Sequence, residues 1–96
     1  VAQFDVLRVT GNVLVLDCQA DLLADLPTRF VVPLRASDEI GPSRLTPLLR
    51  VGADEWVMVT PLARAIGTRE VQGMVANLSG QEWAIKAALD MLISGF

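Results

Sequence analysis

The sequence predicts a mainly β domain, a curved antiparallel sheet or small barrel, with one α-helix at its C-terminal end. Three observations carry this. Short β-prone runs punctuated by Gly, Asn and Pro occupy the chain as far as residue 78, and a single stretch of helical period follows. With 96 residues, of which 52% are hydrophobic and 20% charged, the chain supports one small core and is too apolar to be disordered.

Phe4–Val9 and Val13–Asp17 read as strands joined by Thr10-Gly11-Asn12, whose Gly and Asn suit the positive φ of a tight hairpin. Val13-Leu14-Val15-Leu16 is apolar without alternation, which predicts a central strand buried on both faces. Ala20–Leu26 ends at Pro27 and reads as a connection that leaves Leu22 and Leu23 partly exposed. Phe30-Val31-Val32 is the next strand, closed by Pro33, and Arg35–Pro47 is expected to be a long loop or arm. Leu48–Val51, a turn at Gly52-Ala53-Asp54 and Glu55–Thr60 read as a second hairpin. Pro61 breaks it, Leu62–Ile66 suits a short helical turn, and Glu70–Val75 returns as a last strand with a bulge at Gly73.

Ser79 and Glu82 have the spacing of a capping box, so a helix is expected from about Gly80 to Ile93. Ile85, Ala88, Leu89, Leu92, Ile93 and Phe96 form one apolar stripe and Ala84, Ala87 and Met91 a second. Its polar seam is Glu82, Lys86, Asp90 and Ser94, with Glu82 and Lys86 spaced to pair. A helix apolar around so much of its circumference is expected to touch both its own sheet and a second subunit or partner. The mean hydropathy of +0.46 points the same way, toward a homodimer, against the alternative of a merely Leu-rich monomer.

Composition narrows the function. A net charge of -3, a pI near 4.7 and eight dispersed cations argue against direct nucleic-acid binding. No run approaches the roughly 18 apolar residues of a membrane span. The N-terminus does not read as a signal peptide, and a soluble cytoplasmic protein is expected. With no His and one Cys, neither common metal-ligand sets nor an intrachain disulfide can be assembled, and no cofactor is expected. The acid pairs Asp21/Asp25, Asp38/Glu39 and Asp54/Glu55 fall in loops and read as surface. Cys18 reads as a buried structural thiol, and Trp56 and Trp83 as core or interface residues.

Several phrases, in this order, resemble the CcdB family, the toxin half of a plasmid-maintenance toxin–antitoxin pair. They are Gln3-Phe4, Val15-Leu16-Asp17-Cys18-Gln19-Ala20-Asp21-Leu22-Leu23, Arg29-Phe30-Val31-Val32-Pro33-Leu34, Glu55-Trp56-Val57-Met58-Val59-Thr60, Val75-Ala76-Asn77-Leu78-Ser79 and Ile85-Lys86 through Gly95. The resemblance spans nearly the whole chain. It implies a curved SH3-like sheet of the type shared with MazF and Kid toxins. It also implies a homodimer whose helix ends lie side by side, and a protein that is no enzyme but a poison of a type II topoisomerase.

On that resemblance, contact with the GyrA subunit of DNA gyrase falls on Asp90, Ile93, Ser94, Gly95 and Phe96. A CcdA-like antitoxin, through a disordered tail, is implied to cover Leu22, Leu23, Asp90, Ile93 and Phe96. This chain departs from the family where a Trp precedes the terminal Gly: it has Ser94, and a hydroxyl offers no ring face to an arginine. Phe96 is the aromatic residue nearest that position, and the first hairpin is a few residues shorter than in the family. Two alternatives follow. One is a homologue that keeps dimer and antitoxin binding without poisoning gyrase; the other is a MazF/Kid-like endoribonuclease, which an acidic chain without His suits poorly.

Overall fold

Gly11 and Asn12, both left-handed at φ 89° and 58°, turn strand β1 (Asp5–Val9) into β2 (Val13–Asp17). The structure is a computed structural model and describes residues 1–38 and 40–95. Five further strands follow: β3 (Thr28–Ala36), β4 (Leu48–Val51), β5 (Asp54–Met58), β6 (Arg64–Gly67) and β7 (Val71–Asn77). Helix α1 spans Glu82–Ser94. All pairings are antiparallel, in the order β4-β5-β3-β2-β1-β7, with β6 beside β3. The result is a curled half-barrel sheet with a C-terminal helix, as the sequence predicts.

The missing alternation in β2 has its expected cause. Val6, Leu16, Val32 and Leu34 enter the main core with Met58, Leu49, Ile85 and Ala88, whereas Leu7, Val15 and Val31 join Val9 and Ile66 on the opposite face. Successive side chains of a strand point to opposite faces, so a strand covered on both can be apolar throughout. The second face is closed by the chain crossing from β6 to β7. Its ends are tied by Thr68 N–H to the Pro27 carbonyl (3.0 Å) and Thr10 N–H to the Glu70 carbonyl (3.1 Å). Phe4, buried at the entrance to β1, has φ 71°, unusual for a bulky residue; its carbonyl accepts from Leu78 N–H at 2.8 Å.

Several expectations are corrected. Pro33 does not close its strand: β3 continues to Ala36. On one edge β3 pairs first with β6, as far as Val31, and then with β5 from Leu34. Pro33 sits at the changeover, where a missing N–H leaves no rung broken, and its carbonyl accepts from Val59 N–H at 2.9 Å. The second hairpin turns at Gly52-Ala53, since Asp54 already belongs to β5, and β5 ends at Met58 rather than Thr60. Leu62–Ile66 is not helical. A 3-10 turn at Thr60–Leu62 gives way to β6, a strand short enough that its apolar pattern does not show. In β7 the extra residues are Gln72 and Val75, because Leu7 pairs with Met74 after Val6 pairs with Ala76, and Val9 with Val71 after Arg8 with Gly73. Gly73 itself is in register.

The capping box is absent. A 3-10 turn at Ser79–Gln81 precedes α1, so Ser79 lies too far forward to cap it; its N–H donates to Asn77 Oδ1 at 2.9 Å. Glu82, freed from that role, accepts from Lys86 Nζ at 2.7 Å, the expected pair. Gln81, at the N-cap position, directs its amide to β4: Oε1 accepts from Arg50 N–H at 2.9 Å and Nε2 donates to the Arg50 carbonyl at 2.7 Å.

Candidate functional site: the helix end and the turn after β2

Helix α1 is held to the sheet by its middle. Ile85 and Ala88 are fully buried, with Ala84 and Leu89 half-buried beside them. Beyond Leu89 the face that should meet the core overhangs it, and Leu92 is 42% exposed. Ile93 is 79% exposed, and Asp90, Ser94 and Gly95 are exposed with it. Gly95 ends the helix in the left-handed region at φ 79°, its N–H on the Met91 carbonyl at 3.0 Å, a position that admits glycine without strain. The structure therefore brings Asp90, Ile93, Ser94 and Gly95 together at one exposed helix terminus. Phe96 lies outside the described residues.

Leu22 and Leu23 lie on another element, a 3-10 turn at Asp21–Leu23, and are 93% and 48% exposed. Besides the sheet core, α1 lies against Thr60–Leu62 and its own lead-in. Buried polar groups brace the turn from below. Asp17 Oδ1 accepts from Gln19 N–H (3.0 Å), and Asp17 Oδ2 accepts from Arg29 Nε at 2.8 Å, with Arg29 Nη2 at 2.7 Å. Gln19 then spans the gap: its Nε2 donates to the Leu23 carbonyl (2.8 Å) and its Oε1 accepts from Phe30 N–H (2.9 Å). Asp21 Oδ1 accepts from Gln3 N–H at 2.8 Å. Two exposed leucines thus stand on a braced mount, which lowers the ordering cost this chain pays when they are bound.

The electrostatics of this brace follow from burial. Asp17 and Arg29 have no accessible side-chain surface. Burial raises the Asp17 pKa above the ordinary carboxylate value, opposed by the Gln19 N–H and by Arg29. The Cys18 thiol is pushed up to about 12, chiefly by burial and then by the Asp17 charge, so it is the inert structural thiol the sequence suggests. Of the acid pairs, Asp21, Asp25, Asp38, Asp54 and Glu55 are all exposed, and Glu39 lies outside the described residues.

Sequence reasoning missed the Asp17–Gln19–Arg29 brace, whose signal was polar residues at inward positions of, and just after, otherwise apolar strands. Of the two tryptophans read as core or interface, Trp56 is half-buried against the core and Trp83 is 85% exposed, which leaves it the interface half of that reading. No helix among the described residues is long and apolar enough to cross a membrane. No curated protein matches the chain. The family model described as CcdB protein matches residues 3–95.

Proposed function

The chain belongs to the CcdB protein family, and on that premise we propose that it is the toxin of a type II toxin–antitoxin pair. It binds the GyrA subunit of DNA gyrase and holds that enzyme on cleaved DNA, catalysing nothing itself. The observation that carries this reading is the helix end, where Asp90, Ile93, Ser94 and Gly95 stand clear of the sheet. An apolar side chain left in water beside an uncompensated carboxylate is the composition of a protein contact rather than of a reaction centre.

A homodimer placing two such ends side by side doubles the contact and covers Leu92 on each copy. The antitoxin, a CcdA-like protein with a disordered tail, binds Leu22 and Leu23 together with Asp90, Ile93 and Phe96. A segment that folds as it binds can wrap elements this far apart in the chain. With Ser94 in place of an aromatic residue, Ile93 and Phe96 supply the apolar part of the gyrase contact.

The test is a supercoiling and cleavage assay with purified gyrase, comparing the intact protein with one lacking Gly95-Phe96. Linear DNA accumulating with the intact protein alone supports the reading. A folded dimer that neither inhibits supercoiling nor traps cleaved DNA overturns it.

A further inference from the structure

Trp83 is an indole left in water, 85% exposed, on a helix whose opposite face is fully buried at Ile85 and Ala88. So large an apolar exposure marks a contact surface when its neighbours are shaped and charged to match. Steps of four and seven residues put Ala87 and Asp90 on the same outward line, about one and two turns farther along.

On one side of this line a depression of about 320 Å³ separates the helix from the segment 43–47; Pro47, Trp83, Ala84 and Ala87 form its apolar lining and Arg44 contributes a cation. On the other side Glu82 and Lys86 neutralise each other at 2.7 Å. Of the charges lining this face, the two left without an ion pair among the described residues are Arg44, in the depression with Trp83, and Asp90, about two turns along the helix from Trp83.

A face with opposite charges at its ends and a small residue at its middle is complementary to itself under a two-fold rotation. Arg44 of each copy meets Asp90 of the other, and the methyl group of Ala87 lets the two helices approach at the crossing point. The geometry points to a second copy of this chain as the occupant of the Trp83 face, the helices running antiparallel across Ala87. This interface is separate from the overhanging Leu92 and Ile93. Its consequence rests on the function proposed above: Ser94 lies eleven residues from Trp83, about three turns, on the same line. Self-association through this face covers Asp90 and Ser94, so it competes with capture of gyrase.

Sedimentation equilibrium over a wide concentration range tests the interface without gyrase, so its result is independent of the target. The intact protein gives a concentration-dependent association step. Trp83→Lys, Arg44→Asp and Asp90→Arg each weaken that step at least about tenfold, and the doubly reversed Arg44→Asp/Asp90→Arg protein recovers it. Removal of Gly95-Phe96 leaves it in place. As a second measurement, Ala87→Cys forms a disulfide with its own copy when copper phenanthroline is the oxidant, whereas Leu26→Cys does not. The proposal is overturned by a mass curve that Trp83→Lys does not move, by a charge reversal that recovers nothing, or by equal cross-linking at both cysteines.

Discussion

The side-chain amide of Gln81 occupies both backbone positions of Arg50 that face away from β5, accepting from its N–H at 2.9 Å and donating to its carbonyl at 2.7 Å. Strand β4 is an outer strand of the sheet, and its free groups are a template for another chain. Gln81 fills one rung of that template and fixes the start of α1 to the sheet with the same two bonds.

Replacing Gln81 by Ala removes both bonds together. A loss of about 1–2 kcal/mol is expected, read by urea denaturation, with faster hydrogen exchange at the Arg50 amide. Gln81→Glu keeps the acceptor, sets a carboxylate against the Arg50 carbonyl, and is expected to be no more stable than Gln81→Ala.

Asp17→Asn leaves the Arg29 guanidinium buried without its counter-charge. Breaking a buried pair from one side costs about 3–5 kcal/mol, enough to unfold much of a domain this small. Arg29 Nη1 already lacks a hydrogen-bond partner among the described residues. Removing both charges with Asp17→Leu/Arg29→Met is therefore expected to recover most of that loss. A thermal melt of the two variants checks the ordering; equal destabilisation contradicts it.

The pH dependence of stability carries a signature of Cys18. Its thiol ionises at about 12 in the folded protein against 9.0 ordinarily, so the folded state keeps a proton that the unfolded state gives up. The full contribution is present below pH 9 and is lost as pH rises toward 12, at up to about 1.4 kcal/mol per pH unit. Cys18→Ala is expected to flatten that slope in denaturation curves measured at pH 8 and pH 10.

Leu22 and the residue that supports its turn separate folding from binding. Leu22→Ala, at a fully solvated position, is expected to change stability by less than about 0.5 kcal/mol while weakening a partner that uses the turn. Gln19→Ala is expected to cost about 1–3 kcal/mol, because it strands the Phe30 amide and the Leu23 carbonyl. Calorimetric titration with a tail segment of the antitoxin proposed above, run beside urea denaturation, distinguishes the two effects.

Most of the strand pattern was legible because burial writes it directly. Val13–Leu16 announces two covered faces, and Gly11-Asn12 announces the turn, since each depends on one residue's own conformation. β6 was not legible, because four residues beside half of a longer strand carry no period of their own. Nor was the true helix start: the Ser79–Glu82 spacing is right for a cap, but a 3-10 turn moves the helix two residues on. At the candidate site, the family resemblance rather than a local pattern singled out Asp90, Ile93, Ser94, Gly95 and Phe96, with Leu22 and Leu23, and those of them that are described are exposed. The supporting Asp17, Gln19 and Arg29 emerge from pairing across strands, which no local pattern records. For Trp83 the sequence left core and interface open, and only the helix's orientation, which turns that side to water, excludes the core.

Strand β3 holds β2 on one edge and, on the other, β6 and then β5. It joins the β4–β5 hairpin to β2, β1 and β7, and the last of these rejoins β1 across a separation as long as that from Asp5 to Asn77. The hairpins at Gly11-Asn12 and at Gly52-Ala53 can form from local contacts, but neither finds its place until β3 is extended. Folding is thereby expected to be gated by one late, non-local event, a slow, single-exponential transition, with the amides of Val31, Val32 and Leu34 the last to exchange with solvent.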